Sequence, residues 1–296
     1  MDLPKKKVQT LTKERIVISH GSCDDGMGAA WAAWKKFGDT ADYWFAAYNS
    51  QPPDVANKEV YVLDFSYERN TLERMHSEAK SLVVIDHHAS AERRLKGLPY
   101  CHFNEEKSGA MLAWEYFHPN LPSGVLLYHV QDYDLWKFEC ERTIYFSKAL
   151  TSYPQNIQTW DTLNNGFEDH VNGKQFYDLF IADGKAIDRY YQAQIKSLLK
   201  SATFPVTIEG VSGLGSNVTG IFASELGNEM AKISGTFGFT YFLHSDGFVK
   251  CSLRSTSGQI CDVSQIAEKF GGGGHASASG FTITRKQLEE ILDGAN

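Results

Sequence analysis

The chain has 296 residues, 42% hydrophobic and 22% charged, the proportions of an ordinary soluble globular protein with length for about two domains, each able to bury its own core. Lys and Arg number 29 against 36 Asp and Glu, a formal net charge of −7, and the only basic run is Lys5-Lys6-Lys7. This argues against a protein that grips long duplex nucleic acid by neutralising its phosphates. No apolar run approaches the roughly 20 residues that span a bilayer and no secretory leader is visible, so no membrane partner and a cytoplasmic location are expected.

Residues 15 to about 150 read as alternating strands and helices. Arg15-Ile16-Val17-Ile18-Ser19 is a strand running into His20. A helix follows over Gly26-Met27-Gly28-Ala29-Ala30-Trp31-Ala32-Ala33-Trp34, whose small residues allow close packing on a sheet. Strands are predicted at Asp42–Ala47, 59–65 and 81–85, with a helix at Asn70–Ala79 before the last. This succession implies right-handed crossovers and a mainly parallel sheet. Two more helices are predicted, from Ser108 to Phe117 and around Val125 to Gln131. Apolar residues at helical spacing from Phe176 to Lys200, uninterrupted by Pro, predict one or two helices bridging to a second unit. Beyond Pro205 the pattern becomes short strands with glycine turns: Val206–Ile208, Phe239–Leu243, Phe248–Arg254 and Gly280–Ile283. Helices at Ala223–Lys232 and Val263–Phe270 interrupt them, the second with Asp262 as N-cap and Gly271 as C-cap.

The chemistry collects at strand ends. Three buried strands run into His20, into Asp64 and into Asp86-His87-His88, and Asp24 and Asp25 follow closely on the first. Residues just past the carboxyl ends of strands converge on the crevice where open α/β sheets bind ligands. An isolated Asp in such a place is more often a helix cap or a solvated loop residue. Here His20, Cys23, Asp24, Asp25, Asp64, His87, His88, Asp132 and Asp134 together offer donors for two divalent cations, which need roughly eight to twelve ligand positions shared with water and substrate. In so acidic a chain a phosphate-ester ligand should be small and met by positive charge from metal ions. The five cysteines (Cys23, Cys101, Cys140, Cys251 and Cys261) include no closely spaced pair, which fits a reducing compartment without disulfides.

Asp86-His87-His88 after a buried strand, the earlier strand ends at His20 and Asp64, and Asp132-Tyr133-Asp134-Leu135-Trp136 downstream resemble the DHH phosphoesterase superfamily. Gly271-Gly272-Gly273-Gly274-His275-Ala276-Ser277-Ala278-Ser279-Gly280 resembles the glycine-rich signature of the DHH-associated C-terminal domain. The resemblance covers roughly residues 15 to 285 and is greatest to the nanoRNases and the phosphodiesterases that cleave linear pGpG. It implies a catalytic DHH domain over 1–175, a helical linker over 176–204 and a smaller α/β substrate-binding domain over 205–296, with the active site in the cleft between the domains. It also implies two divalent metal ions, manganese by preference. His20 and an acid of the first motif would bind one ion and Asp25 the other, with Asp64 bridging, His87 ligating the second and either Asp132 or Asp134 completing the set. His88 would face the substrate phosphate and Asp86 would hold an imidazole in place. Arg254, His275 and the backbone of Gly272, Gly273 and Gly274 would grip the phosphate.

The family's first motif places two Asp one residue apart after the His, whereas here Cys23, Asp24 and Asp25 follow Gly21-Ser22. Either Cys23 or Asp24 takes the first acidic position, and a ligating thiolate would shift preference toward iron or zinc. Trp136 is read as packing beneath the site rather than meeting a base. Ser108 in Lys107-Ser108-Gly109 is read as an N-cap rather than an anion site. The expected substrate is a short oligoribonucleotide or linear dinucleotide, cleaved to mononucleotides. The alternatives are an inorganic pyrophosphatase or exopolyphosphatase on the same scaffold and a non-catalytic nucleotide- or RNA-binding module. Whether the chain pairs as a homodimer stays open.

Overall fold

The computed structural model describes residues 11–21, 23–47 and 50–294; the cluster Lys5-Lys6-Lys7 and Ser22 lie outside them. The chain divides into two compact units, Met1–His87 with Arg94–Gly184, and His88–Arg93 with Lys185–Asn296. In chain order the first part comprises β1 (Arg15–His20), α1 (Asp24–Phe37), β2 (Asp42–Ala46), β3 (Glu59–Leu63), α2 (Arg69–Glu78), β4 (Ser81–Asp86), α3 (Ala89–Leu95), β5 (Cys101–Phe103), α4 (Gly109–Phe117), α5 (Gly124–Asp134), α6 (Thr143–Leu150), α7 (Ile157–Phe167) and α8 (Gly173–Ser201). Its five strands are all parallel, in the order β2-β1-β3-β4-β5.

Ile16, Val17 and Ile18 of β1, Val60 and Val62 of β3 and Val84 of β4 are fully buried, as expected of parallel strands covered on both faces. Val17, Leu63 and Ile85 join a core built with α1, α4, α5, α6, α7 and the first part of α8. Leu72 and Met75 of α2 are buried as well, and α2 packs on β4. The chain leaves β1 toward β2 on one side and returns with β3 on the other. The strand ends therefore diverge between β1 and β3, the switch point at which such sheets accept ligands. Ser19 pairs with Leu63 and Leu63 with Ile85, so His20, Asp64 and Asp86 come level at that edge.

The second part comprises β6 (Thr203–Ile208), β7 (Val211–Asn217), α9 (Ala223–Ser234), β8 (Phe237–Leu243), β9 (Val249–Ser255), α10 (Val263–Lys269), β10 (Gly273–His275), β11 (Ala278–Ile283) and α11 (Arg285–Asp293). Its six strands run β10-β11-β9-β8-β7-β6, antiparallel except for β7 against β8. Phe237, Phe239 and Leu253 of the sheet bury Ile266 of α10 and Ile291 of α11. Leu226 and Met230 of α9 pack instead with Ile195 of α8. The α/β class, with a parallel sheet first and a second, separate sheet after it, is as expected.

Several elements depart from the sequence reading. β7 carries Gly213 and Gly215, poor strand formers, yet a Cβ on Gly213 would stand 2.6 Å from the Phe237 carbonyl oxygen and one on Gly215 2.9 Å from the Phe204 ring. Close packing, not intrinsic preference, makes that strand. α8 is one helix of 29 residues, grouping with the first unit to Gly184 and with the second from Lys185. The sequence reading omits α3, β5, α6, α7 and α11, of which α3 and β5 are the shortest, at seven and three residues. All five cysteines are free, and among the described residues no helix is long and apolar enough to cross a membrane.

Candidate metal centre

Each strand end at the β1/β3 edge contributes a polar side chain, and each is held by a specific local device. Asp64, directly after β3, takes a left-handed backbone (φ 52) while its N–H donates to the Ile85 carbonyl at 2.9 Å. A non-glycine residue in that conformation costs about 1–2 kcal/mol, and here the turn aims a buried carboxylate across the sheet edge. His87 follows β4; its Nε2 lies 3.2 Å from Asp64 Oδ1, 3.5 Å from Asp25 Oδ2 and 3.6 Å from Asp134 Oδ2. Asp86 accepts from Ser66 Oγ at 2.6 Å and from the His87 main-chain N–H at 2.7 Å, so it fixes the backbone from which His87 projects.

The amino termini of α1 and α4 supply the rest. Cys23 is the N-cap of α1: its Sγ accepts from the Gly26 N–H at 3.2 Å and lies 3.1 Å from His20 Nδ1 and 3.5 Å from Asp64 Oδ2. The two partners are 3.8 Å apart. A side chain on Gly26 would collide with the His20 carbonyl oxygen at 2.1 Å, which is why this glycine lets α1 start against β1. Asp25 is buried and accepts from the Gly109 N–H at 2.6 Å and the Ala110 N–H at 3.0 Å. The first turn of α4 does therefore hold an anion, and that anion is Asp25. Ser108, as expected, caps the helix by accepting from the Met111 N–H.

Asp24 goes elsewhere. Its Oδ1 accepts from Gln155 Nε2 at 3.1 Å, so of the two candidates for the first acidic position it is Cys23 that reaches His20 and Asp64. Burial pushes the Asp24 carboxyl up to about 6, opposed by the Gln155 hydrogen bond. Asp132 and Asp134 separate in the same way. Both lie on the last turn of α5, and only Asp134 approaches His87. Asp132 accepts from the N–H groups of Glu139 and Cys140 and from the Thr143 hydroxyl, organising the turn into α6. That turn presents Trp136 (φ 55) and Phe138 (φ 51), ring-to-ring with each other and with Tyr133 at 4.8–5.8 Å. Trp136 is 38% exposed, more open than packing beneath the site would leave it.

His20, Cys23 and Asp64 form one group whose ligand atoms lie within 4.8 Å of one another, and Asp25, His87 and Asp134 form another. Asp64 turns one oxygen to each, Oδ2 toward Cys23 and Oδ1 toward His87. Three carboxylates crowded on one imidazole cannot remain charged together without compensation. Burial opposes protonation of His87, but Asp134, Asp64 and Asp25 outweigh it and hold its pKa well above the usual value. Burial first, then Asp64 and Asp25, pushes the Cys23 thiol up. Divalent cations relieve this repulsion, and the oxygen, imidazole and sulfur donors are of the kinds that bind them, so the residues fit a metal site. Ser66 and Gln155 were not identified from sequence; Ser66, two residues beyond Asp64, carries a local cue, and Gly109 lies in the helix start Lys107-Ser108-Gly109, which the sequence favours as an N-cap over an anion site.

In the second unit, His88 stacks on His275 with ring centres 5.0 Å apart and planes at 18°. Arg254 on β9 donates to Ser224 Oγ and to the Leu253 carbonyl, each at 2.9 Å. The glycine run differs from the expected phosphate cradle. Gly271 (φ 73) and Gly272 donate to the Glu268 and Ala267 carbonyls and close the end of α10, while the Gly274 N–H donates to Ser90 Oγ at 2.9 Å. Gly273, Gly274 and His275 are β10 itself, paired with β11. The N–H groups of Gly272 and Gly274 thus have protein acceptors, which corrects their assignment as phosphate donors. A Cβ on Gly272 would stand 2.1 Å from the Gly280 carbonyl oxygen, so close strand packing is the reason for glycine there.

A parallel α/β unit gathers imidazoles and carboxylates at its switch point, and a separate mixed-sheet unit follows it in the chain. Residues 205–296 match the DHHA1 domain family, in keeping with the resemblance of the chain to the DHH phosphoesterases. The chain is 29% identical over 312 residues to an uncharacterized protein of Acanthamoeba polyphaga mimivirus, covering 96% of this chain and 70% of that one. It is 25% identical over 318 residues to the oligoribonuclease NrnB of Bacillus subtilis, covering 92% and 74%. Among solved structures, a pGpG-specific phosphodiesterase of Vibrio cholerae aligns over 95% of this chain and 96% of its own, at 14% identity and a TM-score of 0.42.

Proposed function

We propose that the protein is a two-metal phosphodiesterase that hydrolyses short linear oligoribonucleotides, 5′-phosphorylated dinucleotides such as pGpG foremost, to mononucleotides. The observation that carries this reading is the convergence of Asp25, Asp64 and Asp134 on His87 Nε2 beside the group of His20, Cys23 and Asp64. Similarity to NrnB over most of both chains supports the substrate class. In this reading His20, Cys23 and Asp64 hold one divalent ion, while Asp25, Asp64, His87 and Asp134 hold the other, manganese being the ion proposed for that oxygen-rich position. Bound there, such ions supply an acidified water and neutralise charge on the phosphoryl oxygens.

The chain's own groups orient the reaction. Asp86, tied to Ser66, holds His87 in place, and the first turn of α4 holds Asp25. In the second unit, His88, His275 and Arg254 offer donors suited to phosphate oxygens, Arg254 as a charge-assisted donor. Trp136, with Tyr133 and Phe138 at its edges, offers an exposed ring face on which a base can stack. A pyrophosphate-type substrate would call for more cationic side chains, yet Lys250 and Lys269 are paired with Asp246 and Glu209. The test is a manganese-supplemented assay on pGpG, other dinucleotides, a longer RNA, pyrophosphate and a cyclic dinucleotide. Fastest release of mononucleotides from dinucleotides supports the reading; preferential hydrolysis of pyrophosphate, or no turnover of any substrate, would reject it.

A further inference from the structure

The donors at the sheet edge are not chemically uniform. Cys23 Sγ, His20 Nδ1 and Asp64 Oδ2 are separated by 3.1, 3.5 and 3.8 Å. These spacings suit one ion bonded at about 2.0–2.3 Å to nitrogen, oxygen and sulfur, which sets neighbouring donors roughly 3–3.7 Å apart at ordinary coordination angles. The companion group, Asp25, Asp134, His87 and the other oxygen of Asp64, contains three carboxylates and one imidazole and no sulfur.

The sulfur is held in place by the fold. Cys23 is an N-cap in extended conformation (φ −135, ψ 155), and its Sγ accepts the Gly26 N–H at the start of the 14-residue α1. That cap fixes the direction in which the sulfur points, toward His20 and Asp64. Gly26 has no room for a side chain against the His20 carbonyl, so the sulfur and the His20 imidazole are locked to a common origin. Thiolate selects softer and borderline divalent ions, whereas carboxylates accept hard ones.

Resting on the two-ion reading above, we propose that the two positions are chemically unequal: His20, Cys23 and Asp64 bind zinc or ferrous iron through a cysteine thiolate, and Asp25, Asp64, His87 and Asp134 bind a hard ion such as manganese. On binding, the Cys23 thiol releases its proton to the buffer as the sulfur–metal bond forms, and no oxidation state changes.

Cobalt(II) is the probe, added anaerobically to the metal-stripped full-length chain and to Cys23→Ser and Cys23→Asp. Ser and Asp are among the preferred N-cap residues, so both variants retain the cap of α1 while losing the sulfur. The wild type should show a sulfur-to-cobalt charge-transfer band in the near ultraviolet together with visible ligand-field bands. Both variants should keep the ligand-field bands and lose the charge-transfer band. After growth in medium containing zinc, iron and manganese, metal analysis should give the wild type a mixed content and identify the softer ion. In Cys23→Asp the ratio of that ion to manganese should fall by more than the roughly 10- to 100-fold that changes around a ligand alone produce. Ligand-field bands without charge transfer in the wild type, or a charge-transfer band that survives in Cys23→Ser, would overturn the thiolate proposal and leave the two-ion reading standing. Failure of the wild type to bind cobalt at all would overturn both.

Discussion

Replacing Gly109 by alanine tests whether the approach of α4 to the strand ends positions the carboxylates. The added Cβ would stand 2.4 Å from Asp64 Cβ, 2.6 Å from its Oδ1 and 2.8 Å from its Cα. Ordinary carbon–carbon contact is about 3.5–4.0 Å, so α4 must withdraw by about 1 Å. Asp64 has little freedom to give way, being buried, left-handed and tied by its N–H to Ile85. Overpacking of this kind costs about 1–3 kcal/mol. The withdrawal also stretches the two N–H bonds to Asp25, each of a charge-assisted type worth about 1.5–3 kcal/mol. The helix preference of alanine over glycine returns at most about 1 kcal/mol, so the net loss should be about 2–4 kcal/mol, read from urea unfolding. A misplacement of about 1 Å near the chemistry is enough for roughly a 100-fold loss of kcat, and calorimetric titration should show weaker manganese binding. A Gly109→Ala protein with the urea midpoint and manganese affinity of the wild type would refute the idea that α4 sets this geometry.

Asp134→Asn should weaken manganese binding roughly 10- to 100-fold with little change in Tm of the stripped protein. Asp132→Asn should instead lower that Tm, because Asp132 holds the turn into α6; the opposite pattern in calorimetry and thermal melts would contradict the assignment. His129 is buried between Thr143 and Tyr177, and burial lowers its pKa from 6.5 to about 4, against the pull of Asp132. Between those values the unfolded chain binds the extra proton, so stability falls as pH drops from about 6.5 to 4, by on the order of 3 kcal/mol. His129→Gln should flatten that slope in urea unfolding series, and an unchanged slope would exclude His129 as its source. Arg254→Ala should raise KM for 5′-phosphorylated dinucleotides about 10-fold or more with a smaller change in kcat; an equal rise for the unphosphorylated analogue would rule out a phosphate contact.

Much of the first unit was legible in the chain because a buried parallel strand is an unbroken apolar run, and an ionisable residue at its end stands out against it. That contrast marked His20, Asp64 and Asp86-His87-His88, and the strand succession implied the parallel sheet on whose edge they lie. The glycine run was visible too, but its role was not. Glycines aim their N–H groups wherever acceptors lie, and here α10 and Ser90 supply acceptors for Gly271, Gly272 and Gly274. Composition alone cannot distinguish a strand and helix end from an anion cradle.

The identities of the donors on the first part of the chain were thus written in sequence, while the choice between neighbours was left to packing. Asp132 and Asp134 are two positions apart on a helix and point about 160° away from each other, so the rotation of α5 decides which one meets His87. Cys23 and Asp24 are adjacent, and α1 begins where Gly26 meets the His20 carbonyl, which turns the sulfur inward and sends Asp24 to Gln155. A sequence lists donors along a line. Which of them share a point depends on helix phase, and that phase is set by close contacts among residues far apart in the chain, as between Gly109 and Asp64.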